Sequence, residues 1–159
     1  MNTVSKNNNK IQQGPILVAA DFSDNSEAAV LWAIDLATSL NSDLLLIHIV
    51  HDRAEGPGYY KHENVDAMRP MEDVAEKMMQ QFIDRLSTEN PSFKSFNNLE
   101  TRIVTGLPVS RILETAENID AKMIVMGSQG LTGLKHLLIG SKAEQVVRLA
   151  NIPVTIVKN

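Results

Sequence analysis

Residues 16 to 40 read ILVAADFSDNSEAAVLWAIDLATSL. The first five, Ile16 to Ala20, are apolar without alternation, so a strand formed there must be covered on both faces. Asp21 ends the run. Asp24 and Glu27, three apart, give a capping-box-like helix start, and Ala29, Ala33, Leu36, Ala37 and Leu40 then recur on one helical face. A strand buried on both sides and followed at once by an amphipathic helix opens a β-α unit of a parallel sheet.

The alternation continues along the chain. Leu44 to Val50 is a second strand, apolar on both faces except for His48. Residues 51 to 70 are polar and carry Gly56-Pro57-Gly58, which predicts an exposed loop, and an insertion of that length in a compact domain is usually functional or mobile. Met71, Ala75, Met78, Met79, Phe82 and Leu86 form the stripe of a second helix, stopped by Asn90-Pro91. Leu99 to Val104 alternates apolar with polar, as an edge strand does. Pro108 opens a third helix with Val109, Ile112, Leu113 and Ala116 inward. Met123 to Met126 makes a fourth strand, a short helix follows at about 142 to 150, and Pro153 to Val157 closes the chain as a fifth strand with Pro at its first position. These elements predict an α/β fold: a doubly wound, five-stranded parallel sheet with helices on both faces. In such sheets ligands sit beyond the carboxyl ends of the strands, where the winding reverses, and Asp21, Ile49 and Gly127 fall at those ends.

Composition bounds the function. The 159 residues suffice for one domain with a real core, expected over residues 14 to 159 after a polar, Asn-rich lead-in at 1 to 13 that reads as disordered. A net charge of -4 with mixed signs leaves no basic face for nucleic acid. With Cys 0, there is no disulfide, thiolate metal site or Cys nucleophile. Neither a leader-like segment nor a run of about 18 apolar residues is visible, which argues against a membrane span and for a cytoplasmic protein.

The stretch that follows the fourth strand, MGSQGLTGLKHLLIGSKAEQ at 126 to 145, is rich in glycine. It contains neither the Walker A run nor the dinucleotide fingerprint G-x-G-x-x-G, whose place is after a first strand. What it does contain is G-x2-G-x9-G-S: Gly127, Gly130, Gly140 and Ser141. Glycines let backbone amides approach a phosphate and permit φ > 0, so successive N–H groups can turn toward one anion. A helix opening at Gly140-Ser141 would add its free first-turn amides. The plainer reading of Ser141-Lys142-Ala143-Glu144 is a capping box, and Asp21 at a strand end could simply bind loop amides.

In this pattern and its placement the sequence resembles the universal stress protein family, of the ATP-binding type. Val18-Ala19-Ala20-Asp21-Phe22-Ser23 is similar to the family's first strand ending, Leu46-Ile47-His48-Ile49-Val50 to its second, and Thr105-Gly106-Leu107-Pro108 to its entry into the third helix. The likeness covers about residues 15 to 158. It implies a Rossmann-like fold of the adenine-nucleotide alpha-hydrolase kind. It also implies an adenine nucleotide held through Gly127, Gly130, Gly140, Ser141 and the Lys142 amide at phosphate and ribose. Asp21 would hold ribose hydroxyls or the adenine edge, with Ala20, Ile49 and Met126 around the base. ATP is the implied ligand, ADP and AMP are alternatives, and Mg2+ or Mn2+ would accompany the phosphates. A homodimer through Val154 to Val157 and an unidentified protein partner complete the expectation.

No paired carboxylate, activated nucleophile or Ser/His/Asp set is visible, which favours a nucleotide-dependent regulatory role in stress response over a slow ATPase, a nucleotide hydrolase or a dimeric scaffold with incidental binding. In the regulatory reading, ATP orders the 128 to 139 loop and the 51 to 70 insertion. The histidines carry no metal signature. His48 reads as a hydrogen-bonded core or crevice residue, His51 and His62 flank the loop, and His136 lies in the segment after Gly133 that is expected to fold over the sheet end.

Overall fold

The computed structural model describes residues 13 to 51, 69 to 130 and 139 to 159. The expectations for the lead-in up to residue 12, for the loop at 52 to 68 with His62, and for 131 to 138 with Gly133 and His136 lie outside those residues.

The elements follow in the order β1 (Ile16–Ala19), α1 (Asp24–Leu40), β2 (Leu44–Val50), α2 (Arg69–Glu89), α3 (Pro91–Ser95), β3 (Leu99–Thr105), α4 (Pro108–Asn118), β4 (Met123–Gly127), α5 (Ser141–Leu149) and β5 (Val154–Val157). All strand pairs are parallel, in the order β3-β2-β1-β4-β5. The chain winds outward from β1 through β2 to β3, returns to the other flank of β1 as β4, and ends at β5. Winding therefore reverses between β1 and β4, where Ala19 is paired with Met126.

The period of two in each strand divides the core between the faces. Ile16, Val18, Ala20, Leu44, Leu46 and Val125 pack with the apolar sides of α1 and α2 and with Phe93 of α3. Leu17, Ala19, Leu45, Ile47, Ile124 and Met126 pack with Ile112 and Ala116 of α4 and Ala143 and Val146 of α5. Ile16, Leu17 and Val18 are 0% exposed, as a central strand covered from both sides must be. Each such side chain stabilises the fold by about 1.5–3 kcal/mol through burial. β3 lies at one edge, as its sequence predicted, although Glu100, Thr101 and Arg102 are exposed in a row rather than in alternation.

Three local expectations are corrected and a fourth is extended. Helix α1 is capped by Ser23 and not through Asp24 and Glu27: the Ser23 Oγ accepts from the Ser26 amide at 3.3 Å. The start moves back one residue because Asp21 Oδ1 accepts from both the Ser23 amide (3.1 Å) and the Ser23 hydroxyl (2.6 Å), fixing that serine as the cap. Leu40 is exposed at the end of α1, while Val30 and Ile34 fill the buried face with the alanines. On α2, Ala75, Met79, Phe82 and Leu86 are buried, but Met71 and Met78 are exposed, because at about 100° per residue both fall on one flank of the buried stripe. Asn90-Pro91 does end α2, but Pro91 then occupies the first turn of the short α3, a position a proline suits.

Candidate functional site

The carboxyl ends of β1 and β4 meet at the reversal of winding, and the glycine pattern leaves β4 there. Gly127 is the last residue of β4. A Cβ on Gly127 would stand 2.7 Å from the Asn25 carbonyl carbon and 2.8 Å from its oxygen, so glycine is what lets the strand end lie against the first turn of α1. Ser128 is next. It is 4% exposed, and its amide donates to the Val157 carbonyl of β5 at 2.8 Å while its own carbonyl accepts from the Gly140 amide at 2.7 Å. One residue thus ties both halves of the glycine pattern to the last strand.

Gly130 is exposed, and a Cβ there would collide with Asp21 Oδ2. The Asp21 carboxylate therefore lies across the opening from β1 to the loop after β4. Its other oxygen holds the Ser23 turn, so the loop-binding reading of Asp21 holds for Oδ1, while Oδ2 faces Gly130.

Gly140 is the N-cap of α5, extended at φ -71 and ψ 153, with no side-chain cap hydrogen bond. A Cβ on it would come no nearer than 3.5 Å to any described residue, so neither sterics nor backbone conformation calls for glycine. The α5 helix starts with the Glu144 amide donating to the Gly140 carbonyl, which leaves Ser141, Lys142 and Ala143 as the residues whose first-turn amides point out of the helix. Ser141 is accordingly the first helical residue, one place later than its capping-box reading required. Among the described glycines only Gly106 has positive φ, so Gly127, Gly130 and Gly140 do not use the left-handed backbone that glycine permits.

The side chains around the opening separate by face. Ile49 and Met126 lie with Ala19 in the α4/α5 layer, whereas the Ala20 side chain, 6% exposed, points into the α1/α2 core. The Ala20 side chain thus lies on the face opposite Ile49 and Met126, with which the sequence reading grouped it, and Ala19 is the β1 alanine on their face. The signal was present, since Ile49 and Met126 share a face only with odd-numbered residues of β1 once the register is known.

His48 lies on the α1/α2 side. Its Nδ1 donates to the Ala20 carbonyl at 2.8 Å, and its ring stacks on Phe22 with centroids 4.3 Å apart. Burial lowers its pKa below 6.5; the Ala20 bond and the Asp21 charge oppose that shift, and the Lys142 ammonium adds to it. The Lys142 side chain thus exerts its charge on this end of the sheet as well as offering its amide. His51 is exposed. Among the described residues no group of three or more His, Cys, Asp or Glu could hold a metal, and no helix is long and apolar enough to cross a membrane. A cavity of about 440 Å³ opens at the opposite, amino end of the sheet beside Pro15, Leu44 and Leu99, remote from the glycine pattern.

The model of the Universal stress protein family matches residues 14 to 158. Universal stress protein MJ0531 of Methanocaldococcus jannaschii is 28% identical, over 99% of this chain and 89% of its own length. The universal stress protein UspA from Lactobacillus plantarum superposes with a TM-score of 0.71 at 23% identity, covering 92% of this chain and 98% of its own. A universal stress protein from Archaeoglobus fulgidus, solved in complex with dAMP, superposes with a TM-score of 0.55 at 23% identity over 92% of this chain and 99% of its own. With the five-stranded parallel sheet and the Gly127, Gly130, Gly140 pattern at its winding reversal, this chain belongs to the universal stress protein family.

Proposed function

We propose that the protein binds an adenine nucleotide, ATP first among them, at the reversal between β1 and β4, and that occupancy makes it a nucleotide-dependent regulator in stress response. The observation that carries this reading is Gly140. Among the described residues nothing crowds a side chain there and the backbone is ordinary, so in this reading the glycine keeps open the space in front of the α5 amides.

In this reading the amides of Ser141 and Lys142 and the Ser141 hydroxyl take phosphate. Gly127 and Gly130 form the opposite lip, and Asp21 Oδ2 takes ribose hydroxyls or the adenine edge. Ala19, Ile49 and Met126 supply the apolar wall for the base, with the Ala20 backbone beside it. Mg2+ or Mn2+ would travel on the phosphate oxygens. The Archaeoglobus relative holds dAMP on the same fold, which supports an adenine nucleotide as the class of ligand. No paired carboxylate or activated nucleophile stands among the residues assigned to the site, which favours regulation over hydrolysis. A homodimer through β5 belongs to the same reading: β5 is an edge strand, and Val147 and Leu149 on the neighbouring α5 are exposed.

Titration calorimetry with ATP, ADP and AMP tests the proposal. Binding that is abolished by Gly130→Val supports it, and no heat at millimolar nucleotide sinks it.

A further inference from the structure

Phe22 is one of three described non-glycine residues with positive φ. The other two, Asn41 and Asp120, are types that tolerate the left-handed region and lie just beyond helix ends; Phe22, at φ 65, is a bulky ring in a conformation it adopts at a cost. Something must hold it. The Phe22 ring is stacked on His48 at an interplanar angle of 24°, and its other neighbour is Phe82 of α2 at 5.4 Å. The same imidazole donates from Nδ1 to the Ala20 carbonyl, and a carbonyl can only accept, so the ring's tautomer is set.

Asp21 is the residue between these two attachments. One ring therefore grips the chain immediately before and immediately after the carboxylate that faces Gly130, although His48 itself lies on the far side of the sheet from Ile49 and Met126.

We infer that His48 is a positioning residue of the nucleotide site: by bonding Ala20 and stacking on Phe22 it holds the strained turn that aims the Asp21 carboxylate across the opening. The inference rests on the nucleotide reading above and deepens it, because affinity then depends on a side chain that never touches the ligand.

A double-mutant cycle read by ATP calorimetry at neutral pH tests it. His48→Phe keeps the ring and removes the donor, and His48→Asn puts an amide donor near the position of Nδ1. Each is made in the wild-type protein and in Asp21→Asn. The expected result is that His48→Phe weakens ATP binding about tenfold, the effect of one lost hydrogen bond, and that His48→Asn recovers part of the loss. In the Asp21→Asn background the same change should alter Kd by less than about twofold, because the charge it aims is gone.

Wild-type affinity in a folded His48→Phe protein, or an equal loss in both backgrounds, overturns the inference while leaving the nucleotide site standing. A wild-type protein that binds no nucleotide removes the site and the inference together. Should His48→Phe fail to fold, Phe22→Leu enters the same cycle with the same expected and contrary results.

Discussion

Gly127 and Gly130 stand in one loop and respond differently to a side chain. At Gly127 a methyl group meets the Asn25 backbone, which cannot swing aside. Gly127→Ala should lower stability by about 1–3 kcal/mol in urea unfolding, with nucleotide affinity falling as a consequence. At Gly130 the methyl group meets, among the described residues, the end of the Asp21 side chain rather than backbone. Gly130→Ala should cost less than about 1 kcal/mol of stability, through loosening of the Asp21–Ser23 bonds, while weakening ATP binding about tenfold in calorimetry, because Asp21 is displaced from its aim. Equal effects on stability at both positions would contradict this separation. His48 adds a pH dependence. Its folded pKa is below 6.5, chiefly through burial, with Asp21 opposing and Lys142 assisting. The unfolded chain then takes up the proton first, so this contribution to stability is complete above 6.5 and is lost as pH falls toward the folded value. Urea midpoints should decline more steeply below pH 6.5 for wild type than for His48→Phe.

At the scale of elements, the first turn of α1 joins fold and site. Ser23 caps the helix through Oγ and is itself held by Asp21 Oδ1. Ser23→Ala should cost about 1 kcal/mol in thermal or urea unfolding, the usual loss for a helix cap, and should also weaken nucleotide binding by releasing Asp21. An unchanged affinity at reduced stability would show that the cap and the carboxylate act independently. The strands were legible almost to the residue, because β2 and β4 are continuous apolar runs and β3 alternates. Helix edges were less so: Leu40, Met71 and Met78 fit the helical period, yet fall where no partner element covers them. The period fixes which residues share a face but not how far the neighbouring layer extends.

For the whole molecule, ligand and assembly can be read together. A nucleotide at 100-fold its Kd should stabilise the fold by about 2.7 kcal/mol, seen as a rise in Tm that Gly130→Val abolishes. Light scattering at micromolar concentration should give twice the 17.6 kDa chain mass. A monomeric mass would argue against pairing through β5. Ser128 joins the two questions, since its hydrogen bonds to Val157 and Gly140 link the edge strand to the start of α5.

By itself the sequence determined the order of the strands and of every helix but the short α3, the parallel sheet, its edge strand β3 and the spacing of Gly127, Gly130 and Gly140. These follow from periods of two and 3.6 residues and from turn chemistry, all of which act over a few neighbouring positions. The tertiary structure decided that Ala19 rather than Ala20 shares a face with Ile49 and Met126, that Ser23 caps α1, and that His48 bonds the turn carrying Asp21. Those outcomes depend on strand register and on contacts between residues far apart in the chain, such as Ala20 with His48 and Asp21 with Gly130. Local pattern cannot encode which distant side chain arrives there, because packing of the assembled sheet and helices selects it.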